Sequence, residues 1–141
     1  MKRPAPFITK FEDAPFWEYC RKEELHIQRC THCEKFWWPI GPVCPACMGD
    51  AYEWRRVAGD GRITNYVVYH KVYYPEFEGR IPYLVAEIGL PEGVRLVGNV
   101  EGIRDLSARQ EIIGARVKLY FEDCGEGLKI PQWRIAAGPA A

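Results

Sequence analysis

Four of the six cysteines form the pattern that most constrains how this chain can fold. Cys30, Cys33, Cys44 and Cys47 read as C-x2-C, ten intervening residues, and C-x2-C. A C-x2-C turn lets two thiolates converge on one ion, and two such turns complete the tetrahedral shell that zinc prefers. We therefore predict a zinc ribbon that binds one Zn²⁺ per chain. Iron in the same thiolate cage and two redox-active cysteine pairs are the alternatives.

A shell of four thiolates has no open position for water or substrate, so the predicted metal is structural. Residues 25–50 contain no long apolar run, and the metal supplies the stability that burial cannot. His32 lies between two ligands and is expected to be exposed on its turn, while His26 is expected on the first ribbon strand. We expect the ribbon and the rest of the chain to have separate cores.

The residues before the ribbon predict an extended arm, residues 1–12, and one short helix. Asp13 is placed to cap this helix, and Pro15 is tolerated because first-turn amides lack intrahelical partners. The apolar face of the helix carries Phe16, Trp17 and Cys20. About three turns of helix are not stable alone, so this one is expected to dock on its own body or on a partner.

Beyond Gly59 the pattern changes to β-strands. Five segments are rich in β-branched and aromatic residues: 62–70, 83–88, 94–100, 117–121 and 128–135. A short helical piece near 106–113 precedes the fourth strand, and this arrangement is typical of a small OB-type barrel. The predicted fold is mainly β, with an N-terminal arm and helix (1–25), a four-cysteine zinc ribbon (26–54), a five-stranded OB-fold domain (55–136) and a tail (137–141).

Charge and hydropathy bear on the class of partner and on location. Lys plus Arg number 19 and Asp plus Glu number 19, so the basic excess of most nucleic-acid binders is absent. No window approaches 18 consecutive apolar residues, which argues against a membrane span. No apolar run follows the first residues, so we expect no signal peptide and a cytoplasmic location.

A catalytic constellation is not recognisable, and we expect no catalytic residue. Cys20 lies on the apolar helix face, where a buried thiol is inert. Cys124 is flanked by carboxylates, which oppose formation of a thiolate. His70 has no partner in any familiar motif. A stand-alone enzyme that uses Cys124 or His70 is the weakest hypothesis.

Aromatic residues are more numerous than a small core needs, with 5 Trp and 8 Tyr. The segment between the first two barrel strands, residues 71–82, is here called the aromatic loop. It carries Tyr73, Tyr74 and Phe77. This loop is either a lid on the barrel end or an interface to a partner or bulky apolar ligand. Trp37 and Trp38 cannot both face inward on a strand, so one is expected to be exposed or covered by another protein.

The order of these features resembles a known family. The residues that carry the resemblance are the Phe16-Trp17 helix, Cys30-x-x-Cys33, Cys44-Pro45-x-Cys47, Trp54, Gly61, Pro82-Tyr83 and Leu128-Lys129-Ile130-Pro131. They resemble the thiolase-associated family with an N-terminal rubredoxin-like zinc ribbon and a C-terminal OB fold, over about residues 13–135. Many members have glycine after the first C-x2-C turn. Here Glu34 and Lys35 follow it, which changes the exposed ribbon surface and leaves the ligands intact.

The resemblance implies a non-catalytic subunit of a thiolase-fold enzyme that acts on acyl-CoA. Members are similar in serving acetoacetyl-CoA thiolases, sterol side-chain aldolases and a two-subunit thiolase that cleaves 2-benzoylsuccinyl-CoA, the last being one candidate. The chain would stabilise the catalytic subunit in a hetero-oligomer and help shape acyl-CoA access. The candidate contacts to the partner or the substrate entrance are Trp37, Trp38, Tyr73, Tyr74 and Phe77. The alternative is a nucleic-acid-binding OB and zinc-ribbon module.

Overall fold

The computed structural model describes Pro6 and residues 11–136. The helices and strands run in the order α1 (Ala14–Arg21), β1 (Leu25–Cys30), β2 (Phe36–Trp37), β3 (Tyr52–Val57), β4 (Gly61–Tyr69), β5 (Tyr83–Gly89), β6 (Arg95–Glu101), α2 (Arg109–Ile112), β7 (Arg116–Gly125) and β8 (Leu128–Ile135). A 3-10 turn, Pro75–Phe77, lies in the aromatic loop. The predicted arm lies almost wholly outside the described residues, and the predicted tail, 137–141, lies outside them entirely.

The strands form two sheets. The order β2-β1-β3 makes the antiparallel ribbon sheet, and β4-β5-β6-β8-β7 makes a closed barrel. Pairing of β4 with β7 closes the barrel, and β6 runs parallel to β8. The predicted mainly-β fold with an N-terminal helix, a four-cysteine ribbon and a five-stranded OB barrel is therefore confirmed.

The α1 helix docks on the body of the protein. Phe16 and Cys20 are buried, and burial raises the pKa of the Cys20 thiol to about 12. Asp13 stands at the N-cap position as expected, but its side chain makes no capping hydrogen bond. The prediction of a side-chain cap is wrong because Asp13 has helical backbone angles, φ −81° and ψ −15°, instead of the extended angles of a capping residue.

Side chains of the ribbon sheet and of the barrel pack together in one hydrophobic core, so the expectation of separate cores is wrong. Leu25, Ile27 and Val57 of the ribbon sheet lie in the same buried cluster as the barrel side chains, which include the fully buried Trp133. Strands β1 and β3 pack their inner residues on the barrel because the sheet would otherwise expose them. A separate small cluster, Cys30, Trp37 and Cys44, exists at the cysteine end only.

The segment that connects β3 of the ribbon to β4 of the barrel is hydrogen-bonded to a residue in the barrel core. The indole Nε1 of Trp133 donates a hydrogen bond of 2.8 Å to the carbonyl oxygen of Gly59. This bond satisfies a buried indole donor and fixes the segment at which the chain leaves the ribbon and enters the barrel. Across the part of the chain that is described, no helix has the length and apolar character needed to cross a membrane.

Candidate metal centre and aromatic cleft

The four cysteines of the ribbon converge at one point. Their Sγ atoms all lie within 4.8 Å of one another. The Sγ atoms of Cys30 and Cys47 are 3.6 Å apart, and those of Cys33 and Cys44 are also 3.6 Å apart. A tetrahedron with zinc–sulfur bonds of about 2.3 Å has edges of about 3.8 Å. The donor set and its spacing therefore fit a tetrahedral four-thiolate metal site.

In the first C-x2-C turn, backbone amides donate hydrogen bonds to a ligand sulfur. The N–H groups of Cys33 and His32 each donate to the Sγ of Cys30 over 3.4 Å. These bonds hold the pKa of the Cys30 thiol well below its usual range, led by the bond from Cys33. The thiolate is the form that binds a metal, so the turn favours the charge state that the site needs.

The two turns have the same backbone shape. Glu34, directly after the first turn, has φ 67°, and Met48, directly after the second, has φ 63°. Both are in the left-handed region that favours glycine. Glu34 thus has a backbone conformation that glycine adopts more readily than glutamate. His32 is exposed as expected, and His26 lies on β1 with its ring stacked on Tyr19.

The two consecutive tryptophans point in different directions. Trp37 is buried against Cys30 and Cys44 in the small cluster at the cysteine end. Trp38 is half-buried and packs on Phe16, with ring centroids 5.1 Å apart. Trp37 therefore supports the metal centre, and Trp38 belongs to a second feature on the barrel side of the ribbon.

This second feature is a cleft of about 990 Å³ between α1, the ribbon, the aromatic loop and the barrel strands β5, β6 and β8. We call it the aromatic cleft. Its rings include Phe16, Trp17, Trp38, Tyr73, Tyr74 and Phe77. Asp13 is the one charged residue among the described residues that line it. The structure thus brings four of the five candidate contact residues into one apolar cleft, and it places Trp37 outside that cleft.

In the aromatic loop, Phe77 is buried, whereas Tyr73 and Tyr74 are exposed to solvent. Phe77 is 8% exposed and stacks on Tyr83 with ring centroids 4.9 Å apart. The following Arg80 makes an ion pair of 3.0 Å with Glu122 of β7. Tyr73 and Tyr74 are 61% and 58% exposed. The sequence left lid and interface as alternatives for the whole loop; in the structure Phe77 packs on the barrel, whereas Tyr73 and Tyr74 are exposed.

Two buried glutamines that sequence analysis did not single out make hydrogen bonds to backbone groups next to the aromatic cleft. Gln28 receives the Gly41 N–H over 3.0 Å and donates to the Gly41 carbonyl over 2.8 Å. Gln132 accepts the backbone N–H of Asn99 over 2.6 Å. A polar side chain on a strand is usually exposed, so no sequence signal marks either residue. Their hydrogen bonds position the ribbon segment that carries Trp38 and the strand β6 that lines the cleft.

Replacing Gln28 with leucine is expected to lower the free energy of unfolding by about 1–3 kcal/mol, because Gly41 then loses both hydrogen bonds. Chemical denaturation of the metal-bound protein measures this change. Gln110 is exposed on α2, so Gln110→Leu is the matched control and should stay within about 0.5 kcal/mol of the parent. Equal stability of the two variants would contradict the role of Gln28.

The structure places the two free cysteines and His70 in different parts of the fold. Cys20 is buried on α1, Cys124 is buried on β7, and His70 is exposed directly after β4. The raised pKa of Cys20 opposes the thiolate that a nucleophile requires. The Sγ of Cys124 lies 3.8 Å from the carbonyl oxygen of Glu122, which cannot act as a base.

A four-cysteine ribbon that shares its core with an OB barrel defines the class of protein. Two family profiles match, described as the rubredoxin-like zinc ribbon domain of ChsH2, over residues 17–53, and the C-terminal OB-fold domain of ChsH2, over residues 54–122. A DUF35 domain-containing scaffold protein of Methanocaldococcus jannaschii is 31% identical over 118 residues, which cover 79% of this chain and 81% of that protein. The chain belongs to this DUF35 family of ChsH2-type zinc-ribbon and OB-fold proteins.

Two further relatives are more similar in sequence. A probable enoyl-CoA hydratase alpha subunit of Thermomonospora curvata is 39% identical over 136 residues, which cover 95% of this chain and 40% of that protein. The chain thus spans about two fifths of the length of that curated relative. A solved chain described as Ltp2-ChsH2(DUF35) aldolase is 34% identical and superposes with a TM-score of 0.81, covering 94% of this chain and 100% of that chain.

Proposed function

We propose that this chain is a non-catalytic accessory subunit of an acyl-CoA enzyme complex. Its catalytic partner has the thiolase fold and acts as a thiolase or an aldolase, and the two form a hetero-oligomer. The observation that carries the proposal is the likeness to the whole of the DUF35 chain in an Ltp2-ChsH2 aldolase, at 34% identity. The hydratase subunit of Thermomonospora curvata supports the coarser assignment to an acyl-CoA enzyme complex.

We further propose that Cys30, Cys33, Cys44 and Cys47 bind one structural Zn²⁺ per chain. The convergence of the four Sγ atoms and the matching rubredoxin-like ribbon profile support this assignment. The metal would stabilise the cysteine end of the ribbon, where little else is buried. A cytoplasmic location is consistent with these thiols, because a reducing compartment keeps them free of disulfides.

The aromatic cleft is the surface that we assign to the catalytic subunit and the acyl-CoA entrance. Trp38, Tyr73 and Tyr74 would make the contact, and the buried Trp37 and Phe77 would hold them in place. Covering a large ring buries roughly 150–250 Å², and apolar burial stabilises by about 25 cal/mol per Å². The anchors Phe77 and Arg80 restrict the loop beforehand, which lowers the entropy lost on docking.

The nucleic-acid hypothesis finds little support at this cleft. The binding groove of such an OB fold combines stacking rings with a series of cations along the phosphate backbone. The rings are present, but the described lining residues include no Lys, Arg or His. Lys71 lies beside the cleft, with Nζ 5.5 Å from the centroid of the Tyr73 ring, and a single cation does not track a strand.

Native co-purification followed by mass spectrometry tests the proposed assembly. We expect a thiolase-fold protein to accompany the chain in a fixed ratio, and acyl-CoA turnover to require that protein. The isolated chain should turn over no acyl-CoA, and Cys124→Ala should leave the activity of the reconstituted complex nearly unchanged. Turnover by the isolated chain that is lost in Cys124→Ala would overturn the proposal.

A double variant, Tyr73→Ala with Tyr74→Ala, is expected to keep the melting temperature of the isolated chain and to weaken assembly at least about tenfold. The exposed rings contribute little to folding and much to a covered contact. Phe77→Ala is the contrasting variant, and it should lower the free energy of unfolding by about 1–3 kcal/mol because its ring is buried. Calorimetry of assembly and thermal melting measure the two effects. Unchanged assembly by the double variant would remove the aromatic loop from the interface.

A further inference from the structure

Four cations stand together on three adjacent strands of the barrel. Arg62 on β4 lies directly opposite Arg116 on β7, and Lys118 on β7 lies directly opposite Arg134 on β8. Arg116 and Lys118 are two residues apart on one strand, so their side chains share a face of the sheet. All four residues are exposed. We call this group the cationic row.

The cationic row lacks the ion pairs that other arginines of the chain make. Arg29, Arg80 and Arg95 each have a carboxylate oxygen of a glutamate within 3.3 Å. Within the described chain, no member of the cationic row has an ion pair. Arg62 donates to the carbonyl oxygen of Gly114 over 3.0 Å, and the guanidinium of Arg134 lies 4.0 Å from the Tyr120 ring centroid. Arg134 also lies directly opposite Glu101 on β6, which places a carboxylate on its other side. Arg62 and Arg116 face each other, and like charges directly opposite each other destabilise a sheet, so a bound anion would relieve that repulsion.

Three members of the row line a concave site of about 490 Å³, which we call the cationic hollow: Arg62, Arg116 and Lys118. Its volume is in the range of small-molecule sites. Asp60 is the acidic residue among the described lining residues, and its Oδ1 accepts the backbone N–H of Leu119 over 3.0 Å. The hollow therefore has an excess of positive charge although the whole chain is neutral.

The rest of the lining suits a compact anion. Thr64 and the backbone of Gly61 and Gly89 complete the lining and add no negative charge. Guanidinium groups bind phosphate oxygens through paired hydrogen bonds, and an ammonium adds a point charge. A phosphate cluster brings two or more negative charges into a small volume. Peptide carboxylates carry single charges that are spread along a chain, and a nucleic-acid strand needs a longer track of cations.

We propose that the cationic hollow binds a small molecule with clustered phosphates, the class to which the nucleotide end of coenzyme A belongs. The aromatic cleft is unsuited to this ligand because the described residues that line it include no cation. The proposal goes beyond the proposed function, since it concerns anion binding by this chain alone.

Calorimetric titration of the full-length, metal-loaded chain with adenosine 3′,5′-bisphosphate at low ionic strength tests the proposal. We expect saturable binding that weakens steeply with added salt and is absent with adenosine. The double variant Arg116→Gln with Lys118→Gln should raise the Kd at least about tenfold, since it removes two charge-assisted contacts. It should melt no earlier than the parent because it relieves repulsion between facing cations.

The matched control removes two exposed cations from the ribbon, Arg55→Gln with Arg56→Gln, and should change the Kd less than about twofold. Equal losses in both double variants would overturn the proposal, as would binding of sulfate as tight as that of the bisphosphate. Binding of an oligonucleotide by a chain that does not bind the bisphosphate would also overturn it. So would an Arg116→Gln, Lys118→Gln variant that binds the bisphosphate normally and only assembles less well with the catalytic subunit. The Tyr73→Ala, Tyr74→Ala variant should bind the bisphosphate normally, which separates a failure here from a failure of the proposed assembly.

Discussion

Replacing Cys44 with serine is expected to abolish tight zinc binding and to unfold the cysteine end of the ribbon. Cys44 is buried, and its Sγ is one of four that converge within 4.8 Å. Structural zinc in small ribbons contributes roughly 10–16 kcal/mol of binding free energy, which is also folding free energy. Loss of one thiolate opens the shell and removes one of the buried thiols on which Trp37 packs. The zinc content, measured by metal analysis, should fall from about one zinc per chain in the parent to well below one in the variant.

The shared core sets the extent of the unfolding. Leu25, Ile27 and Val57 pack with the barrel, so β1 and β3 should stay docked while residues 31–51 loosen. Hydrogen exchange measures this boundary, with fast exchange expected inside that range and retained protection in the barrel. Cys124→Ser is the control, because Cys124 is buried outside the cluster, and it should keep its zinc. Full zinc occupancy in Cys44→Ser would contradict the assignment of Cys44 as a ligand. Iron in the parent protein would contradict the assignment of the metal as zinc.

Replacing Gly59 with alanine is expected to lower the free energy of unfolding by about 2–5 kcal/mol, the second-largest effect. Gly59 has φ 80°, which is unfavourable for alanine. A Cβ there would lie 2.5 Å from Cδ2 of Leu119 and 3.0 Å from Cδ2 of Leu25. These leucines belong to the barrel and the ribbon, so neither can move without disturbing the shared core. Chemical denaturation measures the loss.

Gly93 provides a closely matched control for this substitution. It has φ 90°, and a Cβ there would meet nothing within 4 Å. Gly93→Ala should therefore lose about 1–2 kcal/mol, from backbone strain alone. The difference between the two variants isolates the steric term at the junction of ribbon and barrel. Equal losses would show that the cores do not meet at Gly59 as the structure has them.

Much of the fold could be predicted because its signals are local. The predicted segment 62–70 corresponds to Gly61–Tyr69, and 128–135 corresponds to Leu128–Ile135. Strand β7 runs four residues beyond the predicted 117–121, to Gly125, because its pairing with β8 continues through a register shift near Asp123. That pairing depends on a second segment of chain. A strand's residue pattern alone does not reveal where such a pairing ends.

The candidate metal site could be predicted for the same reason. All four cysteines lie within residues 30–47, and a C-x2-C turn orients two thiols through its own backbone. The roles of the aromatic residues could not be predicted in this way. Tyr74 and Phe77 are three residues apart in one loop, yet one is exposed and the other is buried on Tyr83. Which ring is covered depends on a strand that the loop itself does not specify.

The amino-acid sequence was sufficient for the features that arise from neighbouring residues, which are the strand segments and the pattern of four thiolates. Only the tertiary structure placed Trp38 and the aromatic loop in one cleft, joined the ribbon core to the barrel core, and distinguished Gly59 from Gly93. Arg62 and Arg116 are likewise unremarkable along the chain, and closure of the barrel sets them face to face. Contacts of this kind join residues far apart in sequence, and they follow from strand register and packing, which no local pattern encodes.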